Sequence, residues 1–297
     1  MRSEAFNTPG PVALELRLAA GRAEIRTTDD AETTVELEAL RDNESSIAAV
    51  EATRIEFRER AVGGQEVLVH VPTDTRGFEV AGIRIGLVRS PEVLVRVRCP
   101  HGTSIDVEAG SADLEAHGRF GSSKVSTASG DVELEDVDGE ANVSTASGDV
   151  ELGRISQRAR VSTASGDVEI DRIGGDGEVS LASGDLVVNA AVGSLEVASA
   201  SGDVVVRDAG ASLRIKTASG DQRIDSVAQG EVTLQSASGD IQVKVRRGSR
   251  VWVDARSRSG DTTSDLEVGD TPPDEGGPTL ELRASSMSGD IHIGRAA

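Results

Sequence analysis

Nine aspartates follow directly on a Ser-Gly pair: Asp131, Asp149, Asp167, Asp185, Asp203, Asp221, Asp240, Asp261 and Asp290. Carboxylates recurring at a fixed interval can do one kind of chemistry, the collection of cations. Stacked about 5 Å apart they repel each other, and a cation relieves the repulsion. Calcium, however, takes six or more oxygens, and one Asp per interval is sparse beside a calcium-binding nonapeptide roll. The same residues have a second use. Gly tolerates positive φ, and Ser and Asp side chains bond nearby backbone amides. Ser-Gly-Asp therefore also suits a corner that the chain turns again and again. The corner is the favoured reading, and the cation ladder stays open as an alternative.

Other reactive side chains are scattered. His70, His101, His117 and His292 show no H-E-x-x-H spacing. Cys99 lies two residues before His101 in "RCPH", too few partners for a four-ligand zinc site. "GGDG" (174–177) lacks the lysine of a phosphate loop. No G-x-S-x-G elbow stands among the many serines. The acids form rows rather than an isolated, desolvated pair. The expectation is a protein that is not an enzyme and uses no cofactor or metal.

The residues between the aspartates say what positions them. The Ser-Gly-Asp spacings are 18, 18, 18, 18, 18, 19, 21 and 29. Apolar residues repeat in step, giving the columns Val143, Val161, Val179, Val197, Ile215 and Leu134, Leu152, Ile170, Val188, Val206, Ile224. A third runs through Val137, Ile155, Ile173, Ala191 and Ala209. Within each period apolar and polar residues alternate with period two, which is strand. Glycine and β-branched residues in every period exclude helical repeats. Each strand can pair with its copy one coil away. The fold class predicted is all-β: a parallel β-solenoid with 18-residue coils. One coil cannot bury enough apolar surface to offset the entropy of ordering it, so stability comes from coupling between neighbours.

Residues 1–104 are less regular and read as an N-terminal β-rich cap, ahead of solenoid repeats over 105–297. The cap contains strand-like runs at 12–18, 33–40, 53–60, 65–72 and 92–100, and "AVGGQ" suggests a hairpin between two of them. "NESSIAAVEA" (43–52) predicts one short helix with Ile47 and Val50 on its apolar side. Near the other terminus the period stretches, and the excess, rich in Pro and Gly, predicts a loop insertion at about 267–280 that projects from the last turn and covers the end. "LELRASSMSGDIHIG" then resumes the coil pattern.

The net charge of −20 argues against nucleic acid and against an anionic membrane surface as partners. No apolar run reaches membrane-spanning length, and "MRSEAFNTPG" has no apolar region of a secretory signal. The expected location is cytoplasmic. Against this acidic background, 244–258 concentrates Lys244, Arg246, Arg247, Arg250, Arg256 and Arg258 around a single acid, Asp254. This basic collar is either a solvated face or a contact site for an acidic partner, including another copy of the chain. Trp252, between Val251 and Val253, should face outward, either beneath the Pro-Gly loop or as a platform for a partner.

The "STASGDV" repeats, the stretch "FNTPGPVALELRLAAGRAEI" (6–25) and the ending "SGDIHIGRA" (288–296) resemble a bacterial β-strand-repeat family of unknown function, in its actinobacterial form. Its members are often labelled adhesins. The resemblance spans essentially the whole chain and implies a right-handed parallel β-helix; the spacing itself does not fix the hand. It implies no catalytic residues. The function expected is a non-enzymatic intracellular scaffold or protein-interaction module, with self-association as one form. The alternatives are an adhesin-like binder of carbohydrate or cell-surface material and a cation binder through the Asp ladder.

Overall fold

The computed structural model describes residues 1–59, 63–72, 77–80, 83–86, 90–266 and 279–296. The chain divides into two compact units, Met1–Gly148 and Asp149–Ala297. Both are built from strands, and the one helix among the described residues is Glu44–Ala52. No helix among these residues is long and apolar enough to cross a membrane.

In the second unit each 18-residue period folds as two strands joined at a Ser-Gly-Asp corner, for example Ala159–Ser165 and Val168–Ile173. Both pair in parallel with their copies one period on, Val161 opposite Val179 and Ile170 opposite Val188. The fold is the 18-residue β-solenoid that the spacing predicts. The three apolar columns lie inside, and Val161, Ile170 and Ile173 are all at most 1% exposed.

The corner explains the repeated phrase residue by residue. Gly202 has φ 116°, and a Cβ there would lie 2.0 Å from the carbonyl oxygen of Gly184 in the neighbouring coil. Only glycine allows that φ and that approach. The inward hydroxyl of Thr163 donates to the Ser165 carbonyl at 3.0 Å, a local bond that braces the bend. The Asp then links coils. The Asp221 N–H donates to Asp203 Oδ1, and the Asp203 N–H to Asp185 Oδ1, both at 2.8 Å. The ladder carboxylates from Asp149 to Asp240, and that of Asp290, thus each have one oxygen committed to a backbone amide.

The last coils are not stacked in chain order. The Asp290 N–H donates to Asp240 Oδ1 at 2.7 Å, and the Asp261 N–H donates to Asp290 Oδ1 at 2.8 Å. The strand Thr279–Ser288 pairs with Gly230–Ser238 on one side and Arg250–Ser257 on the other. The later coil is therefore inserted beneath the earlier one. Side-chain chemistry accounts for the order. The Asp290 coil turns Leu280, Leu282, Ile291 and Ile293 inward, and all four are fully buried. The Asp261 coil offers Val251, Val253, Thr262 and Ser264 at the paired positions. Burying a Leu or Ile side chain contributes about 2 kcal/mol, so the more apolar coil takes the covered place. The segment 267–278, on which the predicted loop falls, lies outside the described residues.

In the first unit the strand Val12–Thr28 pairs in parallel with Thr103–Ser129 on one side and with Gln65–His70 and Glu92–Pro100 on the other. The pairing then changes direction. Glu32–Ala39 lies antiparallel on Glu92–Pro100, Arg2–Asn7 antiparallel on Glu32–Ala39, and Arg54–Glu59 antiparallel on Gln65–His70 as a hairpin. Phe6 and Phe57, one on each outer strand, stack at 5.4 Å. The helix has Asn43 as its N-cap, with Asn43 Oδ1 accepting the Ser46 N–H at 2.7 Å. It buries Ser46, Ala49 and Val50, whereas Ile47, expected on the apolar side, faces solvent. The Arg2 guanidinium donates to the carbonyls of Glu51 and Thr53 at the helix C-terminus, where cations are favoured.

Candidate interaction face

The basic collar divides between two walls of the second unit. Lys244, on Ile241–Val245, pairs with Asp225 at 3.3 Å. Arg246 pairs with Asp208 at 2.5 Å and donates to Ser226 Oγ at 3.0 Å. Burial pushes the Asp225 carboxyl up, but hydrogen bonds from Arg223 and Lys244 outweigh it and hold the group below the ordinary carboxylate value. Arg247 is exposed in the following turn. The other collar residues lie on or beside Arg250–Ser257. Arg250, Trp252, Asp254 and Arg256 alternate onto the outward face of that strand, and Arg258 follows it. Arg250 donates to Thr279 Oγ1 at 3.3 Å, and Arg256 pairs with Asp254 at 2.8 Å. Three collar cations thus already have a carboxylate, while Arg247, Arg250 and Arg258 have none among the described residues.

Trp252 points outward, as its place in the alternation requires, and is 53% exposed. Val253 was expected to point inward into the core. It is instead 36% exposed, although its column neighbours Leu282 and Val232 are fully covered. The reason is position: its strand forms the outermost described coil, with nothing described above it.

The neighbouring strands complete the face with residues the sequence reading did not single out. The Arg283 guanidinium sits 5.7 Å from the Trp252 ring and bonds Glu231 at 3.0 Å and also Glu281. Met287 is 58% exposed. A shallow hollow of about 200 Å³ opens between Thr233, Gln235, Asp254, Arg256, Arg283 and Ser285. A signal for this face exists in the repeat. The Ala of "TASGD" is Ala146, Ala164, Ala182, Ala200, Ala218 and Ala237, and then becomes Met287 and Arg258. The Ser two residues earlier, Ser144, Ser162 and Ser180, becomes Lys216, Gln235 and Arg256.

Groups with potential chemistry elsewhere are tied into the scaffold. Burial pushes the Cys99 thiol up to about 11, despite a hydrogen bond with Thr103. His101 meets Thr27 Oγ1 at 2.7 Å and Asp29 at 3.5 Å, and His292 meets Thr263 Oγ1 at 3.0 Å and Asp265 at 3.4 Å. Both sets place hydroxyl, imidazole and carboxylate in sequence. The Thr27 hydroxyl, however, also accepts the Arg119 N–H at 2.8 Å and is walled in by Gly118, where a Cβ would lie 2.1 Å away. Asp29 is fully exposed rather than a buried orienting acid. These sets act as ties between adjacent strands. Among the described residues no three His, Cys, Asp or Glu side chains cluster to hold a metal ion.

No curated protein matches the chain in sequence. Among solved structures it is similar to a candidate cell adhesion protein from Clostridium sporogenes, at 10% identity and TM-score 0.31 over 99% of each chain. A candidate adhesin from Bacteroides fragilis shows 11% identity and TM-score 0.37, over 98% of this chain and 96% of that one. A candidate lipid-binding protein from Parabacteroides distasonis shows 13% identity and TM-score 0.36, over the same shares. In sequence, residues 19–226 and 189–294 match the Toastrack DUF4097 family. A chain matched over most of its length, with Ser-Gly-Asp coils running through the matched region, belongs to the Toastrack DUF4097 family.

Proposed function

We propose that the chain is a non-enzymatic protein-interaction module whose contact face is the outward wall of its last-stacked coils. The carrying observation is the change along one wall. The small Ala of the corner gives way to Arg258 and Met287 where the Asp261 and Asp290 coils stack, the Ser before it becomes Arg256, and Trp252 stands opposite Glu281 on the same wall. A large exposed aromatic beside arginines is the composition of a binding hot spot, and a stacked coil needs none of these residues for its core. Arg258 adds a cation without a carboxylate among the described residues, which favours an acidic protein surface. A second copy, at net charge −20, offers one.

The test is light scattering behind size exclusion at low and high salt, for the parent chain and for Arg256→Glu with Arg258→Glu. The expected result is a species heavier than the 30.8 kDa monomer at low salt, dissociating at high salt and in the double variant. A monomer at both salts counts against self-association, and a mass that ignores salt and charge reversal counts against this face.

A further inference from the structure

The outermost described strand raises a question that the contact face alone does not answer. Arg250–Ser257 pairs with Thr279–Ser288, and among the described residues no strand pairs with its other side. A parallel strand directs alternate N–H and C=O groups to each side, so this edge presents a row of backbone donors and acceptors. The molecule itself shows that such a row accepts a strand that is not the next in the chain. Thr279–Ser288 is seated on Gly230–Ser238, ahead of the strand that precedes it in sequence. The seated coil is the more apolar one, with Leu280, Leu282, Ile291 and Ile293 inward against Val251, Val253, Thr262 and Ser264.

The open side sets a comparable requirement. An added strand would lay alternate residues over Val251, Val253 and Ala255, and Val253 is the incompletely covered end of an otherwise buried column. Its intervening residues would run along Arg250, Trp252 and Arg256 towards Arg258, and Arg250 and Arg258, like Arg247 in the preceding turn, have no carboxylate partner among the described residues. Apolar residues suit the first positions and acids the second.

We infer that this edge takes up an extended acidic segment of a protein partner, with apolar residues alternating with Asp or Glu, as an added parallel or antiparallel strand. The inference rests on the interaction reading above and specifies its mode as backbone pairing. Trp252 is the only tryptophan of the chain and lies on the edge strand, so its fluorescence reports occupancy directly.

The experiment titrates the full chain with a synthetic peptide of alternating Val and Glu while following Trp252 emission. The same peptide N-methylated at alternate backbone amides, and a peptide of alternating Val and Lys, serve as comparisons. The expected result is a saturable shift to shorter wavelength with the Val-Glu peptide, with binding weakened about tenfold or more by N-methylation or by Lys. Arg256→Glu with Arg258→Glu should reverse the preference for Glu over Lys. Equal binding of the N-methylated peptide would overturn strand addition. So would an unchanged emission in a chain that still self-associates in light scattering, and that outcome leaves the interaction reading standing. Loss of both signals removes both.

Discussion

The two units leave their outermost described strands in opposite conditions. In Met1–Gly148 the parallel order ends by reversal: outer strands run antiparallel, two Phe rings stack between them, and Arg2 joins one of them to the helix. In Asp149–Ala297 the parallel order continues to a last coil whose inward positions are Val251, Val253, Thr262 and Ser264, and whose outward positions carry arginines. Both arrangements address the hazard of an unpaired strand edge. The first does it with side-chain packing, which ties the outer strands to each other and to the helix. The second does it with charge and polarity, which discourage aggregation but leave the backbone open to a suitable strand. A tied end is a stability device, whereas a charged open end is compatible with recognition.

The largest effect that would sharpen this contrast is in one core column. Leu282 and Val253 are neighbours in that column, one fully buried and the other 36% exposed. Leu282→Ala should destabilise the protein by about 2–5 kcal/mol, as core truncations do. Val253→Ala should cost under about 1 kcal/mol, since a half-wet side chain gives up little transfer energy. Urea unfolding followed by far-UV circular dichroism measures both. Equal losses would break the comparison, because they would mean that the Asp261 coil is covered.

A middle-sized effect compares the stacked Phe pair with the Trp252–Arg283 contact. Phe57→Ala removes a half-buried ring and its stacking with Phe6, and should cost about 2 kcal/mol. Trp252→Ala removes a larger ring, yet one exposed and in contact with a half-exposed arginine. Its cost should stay under about 1 kcal/mol. A Trp252 variant as damaging as the Phe57 variant would show that the tryptophan is a structural element and would remove the main reason to read it as a contact residue.

Sequence made the periodic part legible because each column position repeats a side-chain type. Val161, Ile170 and Ile173 could be assigned to the interior from spacing alone, and Gly202 and Asp203 to a corner. The Asn43 cap and the helix after it were legible for a similar reason, since a capping side chain leaves a local signal. Two things were not. Period identifies which residues share a column but not the order in which coils stack, and so Leu282 could not be placed beneath Val253. Strand direction in the first unit was equally hidden, since an alternating pattern reads the same either way. For the candidate face, counting charge found Arg256 and Arg258 but overlooked Arg283 and Met287. Met287 was detectable only as the substitute for a repeated Ala, and Arg283 only once its strand was known to lie beside Trp252.

The smallest effect tests the ladder. Asp203 Oδ1 accepts the Asp221 N–H at 2.8 Å. Asp203→Ala removes that acceptor and leaves an amide at a crowded corner dependent on water, which should cost about 1 kcal/mol. Asp261 ends the described ladder: its own N–H is satisfied by Asp290, but no next coil among the described residues uses its carboxylate. Asp261→Ala should therefore be neutral within about 0.5 kcal/mol, as surface changes are. Both variants remove one negative charge from a row of acids, and the inner one, with an Asp on each side, relieves more repulsion, which works against the expected order. A larger loss for the inner variant therefore reports the inter-coil hydrogen bond, since charge alone would favour that variant. If the two variants behave alike, the repeated Asp is not selected for its bond to the next coil, and the cation ladder regains ground. If only the inner variant loses stability, the Asp at each corner is a coil-to-coil connector, and Asp261 is the one whose connection remains available to an added strand.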